Sequence, residues 1–322
     1  MKWFRCLLLL SMILSCEETN REVDPASPVN DSLSQISNSS LIVLGTIQDG
    51  GSPHIGCKKD CCRALFEKPD SNRKVVSLGL IHQGKTYLFE ATPDISTQLK
   101  ILQTLAGSTN EFPDGIFITH AHIGHYSGLM YLGKEAAGAN EIPVYVMPRM
   151  KQFLESNGPW NALVNNHNIS LSDLSAGEEV SLAPQLKITP LLVPHRDEYS
   201  ETVGFVIECE AKKILFIPDI DKWEKWELSI IEIISEVDHA FIDATFFYGE
   251  EIQTRDISEI PHPFIIESMA MFDSLSDSEK NKIQFIHFNH TNPVLEPGSA
   301  AYKKVVGKGY HIAHPNDVIK LQ

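Results

Sequence analysis

The sequence predicts a mixed α/β (α+β) fold, with two mixed sheets packed together and helices outside, in a single domain. Three observations predict it. Apolar runs of strand length and helical repeats occur in both halves of the chain rather than in separate blocks. Many of the strand runs are short. No Gly-x-Gly-x-x-Gly follows the first strand, which weighs against a doubly wound nucleotide-binding sheet.

The elements follow in order. Residues 41–44 form a first strand that runs into a turn at Gln48, Asp49, Gly50 and Gly51. Residues 75–81 and 85–89 flank Gln83 and Gly84 as a hairpin. Pro93 and Asp94 open a helix whose apolar positions Ile95, Leu99, Leu102 and Leu105 share one face. Residues 115–119 form a buried strand leading into a histidine cluster and a helix to about residue 137. A strand at 143–147 and a helix at 148–156 complete the first half. Strands at 178–182, 186–193, 202–209 and 213–218 precede a Trp-rich helix around 222–235. Strands at 238–243 and 283–288, a helix near 298–306 and a strand near 310–312 close the chain.

Ahead of the domain, Lys2 and Arg5 precede an apolar run at 6–15. It is shorter than the roughly 20 residues of a membrane-spanning helix and fits the core of a secretory signal peptide. The run ends in Ile13, Leu14, Ser15 and Cys16, which resembles the lipobox of bacterial lipoproteins, whose cysteine becomes the lipidated first residue. Residues 1–15 are therefore read as a lipoprotein signal peptide. Residues 16–40, polar and without apolar periodicity, are read as a flexible tether, and 41–322 as the domain. The resemblance implies anchoring to a membrane surface of the bacterial cell envelope, on the periplasmic or surface side. The net charge of -15 and pI of about 5.3 disfavour a broad basic surface, so no nucleic-acid partner is expected.

The sharpest local feature is His120, His122 and His125, directly after a buried strand. Residues two apart on a strand or its exit point the same way, so His120 and His122 can share one metal. The turn into a helix then brings His125 to a neighbouring position. Gly124 and Gly128 permit close backbone approach there. Imidazoles suit one or two transition-metal ions, zinc first, with iron or manganese also compatible. Upstream, Cys57, Cys61 and Cys62 are dense enough for a structural zinc or a redox feature, with a disulfide or free thiols as the alternatives. Cys209 lies in an apolar run and reads as core. His54 reads as a loop residue. His262 can donate a proton to a leaving group or be an ordinary loop histidine. Trp160, Trp223 and Trp226 can line a substrate pocket, and the last two, at helical spacing, read as packing. Asp94 and Asp243 are candidates to cap a helix or to orient a ligand histidine.

The run from His120 to His125 resembles the His-x-His-x-Asp-His motif of the metallo-β-lactamase superfamily. His195 after Pro194, Asp219 after Pro218, and His287 at the end of a strand follow in that family's order. The segment LGTIQDGG at 44–51, the cysteines after it, and NHTNP at 289–293 are similar to the branch containing pyrroloquinoline quinone biosynthesis protein B and related phosphodiesterases. The resemblance implies an αββα sandwich with metals at one edge. It implies a first metal held by His120, His122, His195 and Asp219, and a second held by His125, His287 and a share of Asp219. Asp219 would bridge the ions and orient water. It also implies a closed Cys3His zinc site from Cys57, Cys61, Cys62 and His290.

One position departs from the motif: Gly124 stands where the family has an aspartate that helps hold the second metal. Asp197 and Asp221 are nearby candidates to replace it. The implied activity is metal-dependent hydrolysis of an ester, phosphodiester or related bond in a small-molecule substrate. An iron-dependent oxidoreductase or hydroxylase, and a non-catalytic metal-binding lipoprotein, are the alternatives.

Overall fold

The computed structural model describes residue 36, residues 39–251 and residues 260–322. Cys16, the signal segment and most of the tether lie outside the described residues. The end of the stretch read as tether does not: Ser39 and Ser40 are buried, and the Ile36 amide donates to the Leu105 carbonyl.

Among the described residues, fourteen strands form two sheets. The first sheet contains β1 (Ser40–Gly45), β2 (Ser77–His82), β3 (Lys85–Phe89), β4 (Gly115–Phe117), β5 (Ile142–Val146), β6 (Ile169–Asp173) and β14 (Val318–Lys320), in the order β14-β1-β2-β3-β4-β5-β6. The second contains β7 (Val180–Ala183), β8 (Leu186–Leu192), β9 (Val203–Cys209), β10 (Lys212–Ile217), β11 (His239–Asp243), β12 (Ile283–Ile286) and β13 (His311–Ile312), in the order β13-β12-β11-β10-β9-β8-β7. Each sheet is antiparallel at one side and parallel at the other: β3 through β6 run parallel in the first, and β10 through β13 in the second.

The strand residues explain the layering. Successive side chains of β1 alternate between two apolar environments, so the strand is buried along its whole length. Leu41 and Val43 enter the core between the sheets, with Phe89, Phe117, Phe205, Phe216 and Phe241. Ile42 and Leu44 face the outer layer under helix α2 (Ile95–Ala106). A matching outer layer on the second sheet joins Leu215 and Ile217 to Ile230, Ile234 and Ile265. The result is the αββα order expected. In α2, Ile95, Leu99, Leu102 and Leu105 are buried, and Gly107 (φ 60°) ends the helix in the left-handed conformation that glycine adopts without strain.

Several expectations need correction. The Trp-rich stretch is not one helix. A single 3-10 turn at Trp223–Lys225 is followed by extended Trp226, and a new helix, Ile230–Glu236, starts where the Ser229 hydroxyl accepts from the Glu232 amide. Each indole N–H is satisfied separately, Trp223 by Ser268 Oγ and Trp226 by the Leu192 carbonyl. The helix after the histidine cluster is short, Ile123–Tyr126, and continues as a 3-10 turn to Leu132. Cys61 and Cys62 sit in the first turn of a helix, Asp60–Glu67.

Candidate metal centre and pocket

The candidate ligands all follow the ends of core strands. β4 ends at Phe117, and His122, after a bend, precedes the turn carrying His125. That turn is fixed to the segment after β3: the Ala91 amide donates to the His125 carbonyl and the Gly128 amide to the Ala91 carbonyl, both at 2.8 Å. From the second sheet, His195 follows β8, Asp219 follows β10 and His287 follows β12. His287 has φ 67°, a conformation costly for a residue with a side chain and held here by its surroundings.

These side chains converge on Asp219, itself 3% exposed. Its Oδ2 lies 3.4 Å from His120 Nε2, 3.3 Å from His195 Nε2, 3.8 Å from His125 Nε2 and 3.9 Å from His122 Nδ1. His195 Nε2 is 3.3 Å from His122 Nδ1. Two donors about 2.1 Å from one tetrahedral ion stand about 3.4 Å apart, so this spacing is that of a ligand cage. Asp49 Oδ1, His120 Nε2, His125 Nε2, Asp219 Oδ1 and His287 Nε2 are buried and make no hydrogen bond. Buried polar atoms are seldom left so, and their convergence is what divalent transition-metal ions require.

The far nitrogen of each histidine faces an oxygen, hydrogen-bonded in every case except that of His125 Nδ1. His120 Nδ1 meets Thr119 Oγ1 at 2.8 Å, and His122 Nε2 meets Glu198 Oε2 at 3.4 Å. His125 Nδ1 meets Glu90 Oε1 at 3.2 Å, and His195 Nδ1 meets Asp221 Oδ1 at 3.2 Å. His287 Nδ1 meets Thr245 Oγ1 at 2.9 Å. Such partners fix ring orientation and leave the inner nitrogen free to ligate.

Charge in the cage is set by proximity against burial. Burial opposes ionisation of Asp219, but His195 and His262 hold its carboxyl well below the usual range. Burial would lower His195, yet Asp219 raises it to about 9. Burial would likewise lower His125, and Glu90 and Asp49 push it well above its ordinary value. His120 goes the other way, driven down by burial and by His125.

A second donor cluster lies nearby. Cys57, Cys61, Cys62 and His290 have donor atoms within 4.8 Å of one another, and the cysteines are free thiols. The Sγ atoms of Cys61 and Cys62 are 4.0 Å apart. Adjacent ligands in the sequence are thus compatible with the roughly 3.8 Å that two thiolates on a tetrahedral zinc would keep. Burial and neighbouring His54 push His290 down to about 4, so its ring is neutral and able to ligate at pH 7. His54 stacks on His290 at 4.4 Å, and its amide donates to Cys62 Sγ.

Residues 85–288 match the model of the beta-lactamase superfamily domain. The chain belongs to that superfamily. Among curated metallo-β-lactamase-fold relatives, coenzyme PQQ synthesis protein B of Methylococcus capsulatus is 24% identical over 304 residues, covering 84% of this chain and 96% of that protein. The Acinetobacter baumannii protein of the same name is 23% identical over 87% of this chain and 99% of its own. Zinc-bound PqqB from Methylobacterium extorquens superposes with TM-score 0.71 at 21% identity, covering 88% of this chain and all of that one. A diphosphatase of the PhnP family gives 0.61 at 20% identity, covering 88% and 98%.

Within this superfamily chain, the candidates to replace the missing aspartate do not do so. Asp221 supports His195 from behind and pairs with Lys225, and Asp197 accepts from Thr202 Oγ1. The carboxylate beside His125 and His287 is Asp49, whose Oδ1 lies 2.9 Å from His125 Nε2 and 3.6 Å from His287 Nε2. Sequence reading took Asp49 for a turn residue. Asp94 is the N-cap residue of α2, its carbonyl accepting from the Thr97 and Gln98 amides, but its side chain neither caps the helix nor meets a ligand histidine: Oδ2 accepts from the Val75 amide. Asp243 is inside the site, 2.8 Å from His262 Nδ1 and bonded to Thr245. Glu90 was not anticipated at all. Trp160 packs on Tyr126.

His262 also reaches Asp219 Oδ1, at 3.1 Å, and lines a cavity of about 700 Å³. Arg196, Lys58 and Lys59 line the same cavity, as do Cys57 and His290.

Proposed function

We propose that the protein is a metal-dependent hydrolase of small anionic esters, with phosphodiesters and diphosphates first among them. The observation that carries this reading is the cage around Asp219, opening beside a pocket lined by His262 and Arg196. His120, His122, His195 and Asp219 would hold one ion, zinc being the first candidate for this donor set. A bound divalent ion supplies Lewis acidity and lowers the pKa of a coordinated water.

The chain's own groups do the rest. Arg196, with Lys58 and Lys59, favours an anionic substrate at the pocket wall. Burial would discharge His262, but Asp243 and Asp219 raise it well above its ordinary value, so it holds a proton on the pocket side of the cage. With Nδ1 hydrogen-bonded to Asp243, Nε2 has no hydrogen-bond partner among the described residues and is the nitrogen that would protonate a leaving oxygen. Asp219 both supports the cage and faces His262. The similarity to a PhnP-family diphosphatase supports phosphoester chemistry; that to PqqB supports metal binding.

The test is a screen of phosphodiesters, diphosphates and carboxylic esters with the zinc-loaded protein and His122→Ala. Turnover abolished by chelation and by the substitution supports hydrolysis. Oxygen consumption by the iron-loaded protein without hydrolysis would replace it with a hydroxylase reading. Metal binding without either reaction would leave a non-catalytic metal-binding protein. Anchoring through Cys16 belongs to the same proposal. It predicts a mature chain whose intact mass begins at a lipidated Cys16; a mature chain starting elsewhere excludes it.

A further inference from the structure

The loss of a carboxylate at position 124 is matched by a gain at position 49. A Cβ built on Gly124 would fall 2.4 Å from Asp49 Oδ1, 2.8 Å from Asp49 Cγ and 2.5 Å from Asp49 Cα. The Asp49 carboxylate thus fills the space that a side chain at 124 would enter, and both cannot be present without displacement. The same Oδ1 meets His125 Nε2 at 2.9 Å and His287 Nε2 at 3.6 Å, and all three atoms are buried without a hydrogen bond. With Asp219 they form a second four-donor group, no two atoms more than 4.8 Å apart.

Backbone pairing holds Asp49 there. The Phe288 amide donates to the Thr46 carbonyl and the Gln48 amide to the Phe288 carbonyl, so the parallel pairing of Ile47 with Phe288 brings Asp49, just beyond it, and His287, just before it, onto one short bridge. Gly50 then lets the chain turn away: a Cβ there would strike the His54 ring at 2.5 Å. Asp49 is therefore preorganised toward His125 by residues outside the histidine motif.

We propose that Asp49 is the carboxylate ligand of a second metal ion, held with His125, His287 and Asp219, and that it takes the place of the aspartate absent at Gly124. The inference rests on the metal-centre reading above but needs no turnover for its test. Zinc per chain and zinc affinity are measured by elemental analysis and competitive titration for wild type, Asp49→Ala, and the double variant Asp49→Gly with Gly124→Asp. Asp49→Ala is expected to lose one zinc per chain, or to weaken one ion at least about tenfold. The double variant is expected to recover it by supplying the carboxylate from the other side of the same space. Asp49→Asn, which keeps the shape and removes the charge, replaces Asp49→Ala if that variant does not fold. A wild-type zinc count and affinity in the folded single variants overturns the proposal, as does a folded double variant that recovers nothing. A protein that shows the expected zinc pattern but hydrolyses no substrate loses the hydrolase reading and keeps this one.

Discussion

Glu90 Oε1 stands 3.2 Å behind Nδ1 of His125, and neither side chain is exposed to solvent. The same carboxylate accepts from Thr119 Oγ1 at 2.6 Å, so one buried group faces His125 and fixes the residue before His120. Glu90 has φ 75°, strain that the surrounding bonds sustain. Replacing it by Gln keeps the shape and removes the charge behind the imidazole. Zinc affinity at the Asp49–His125–His287 position should fall about 10- to 100-fold, with the His120–His122–His195 position affected less. Competitive titration checks this; equal affinity in the variant would show that Glu90 only fills space.

Metal binding should release protons. His195, raised to about 9, is protonated at pH 8 in the metal-free chain, and a ligating imidazole must be neutral. Calorimetric enthalpies of zinc binding at pH 8 should therefore depend on buffer ionisation enthalpy, and affinity should rise as pH approaches about 9. The metal-free fold has the opposite trend from this group. Its raised folded-state value contributes stability that is complete below the ordinary value of 6.5 and is lost as pH rises through about 9. Buffer-independent enthalpies would refute the assignment.

Histidine 262 should separate chemistry from metal content. His262→Ala removes the candidate proton donor but no member of either four-donor cage. Zinc per chain should stay at the wild-type value while turnover drops about 100-fold or more, most severely for substrates with poor leaving groups. Loss of zinc in this variant would instead assign the ring to the metal centre.

Disrupting the cysteine cluster should be felt at the neighbouring cage. Cys57 and His290 lie a few residues after Asp49 and His287, and His54 ties the two loops by stacking. Cys61→Ser is expected to lose one zinc, to lower Tm by roughly 5–10 °C, and to weaken the Asp49-containing position more than the other. An unchanged melting temperature with full zinc content would leave the thiols without a structural ion.

Backbone contact at Gly128 makes a purely steric prediction. A Cβ there would lie 2.1 Å from the Thr92 carbonyl oxygen, a backbone atom unable to step aside. Gly128→Ala should destabilise by about 2–3 kcal/mol in urea unfolding and, by shifting His125, weaken zinc binding. A variant as stable as wild type would mean that the segment 123–132 slides freely.

The sandwich and most of the cage were legible because their signals are local. Buried strands gave continuous apolar runs, and His120, His122 and His125 stand within six residues. What escaped depends on distant partners. β14, with only Ile319 even partly covered, has no apolar pattern and is a strand because β1 offers it an edge. Asp49 looked like a turn residue because QDGG is a turn; only the ladder with Phe288 sets it beside His125. Glu90 sits at a strand end with no motif around it. The Trp-rich stretch carried helical spacing, but Trp223 and Trp226 each answer to a separate partner, Ser268 in the helix Ile265–Met271 and Leu192 at the end of β8.

The contact between Gly124 and Asp49 bears on how such chains are recognised. A search pattern that demands acid at one point of a contiguous string would reject this protein as degenerate, although an equivalent oxygen occupies the same volume. The useful signature here is a pair of distant positions read together, glycine at one and aspartate at the other. Surveys that score each column alone would file the two halves of that exchange as an unexplained loss and an unremarked gain.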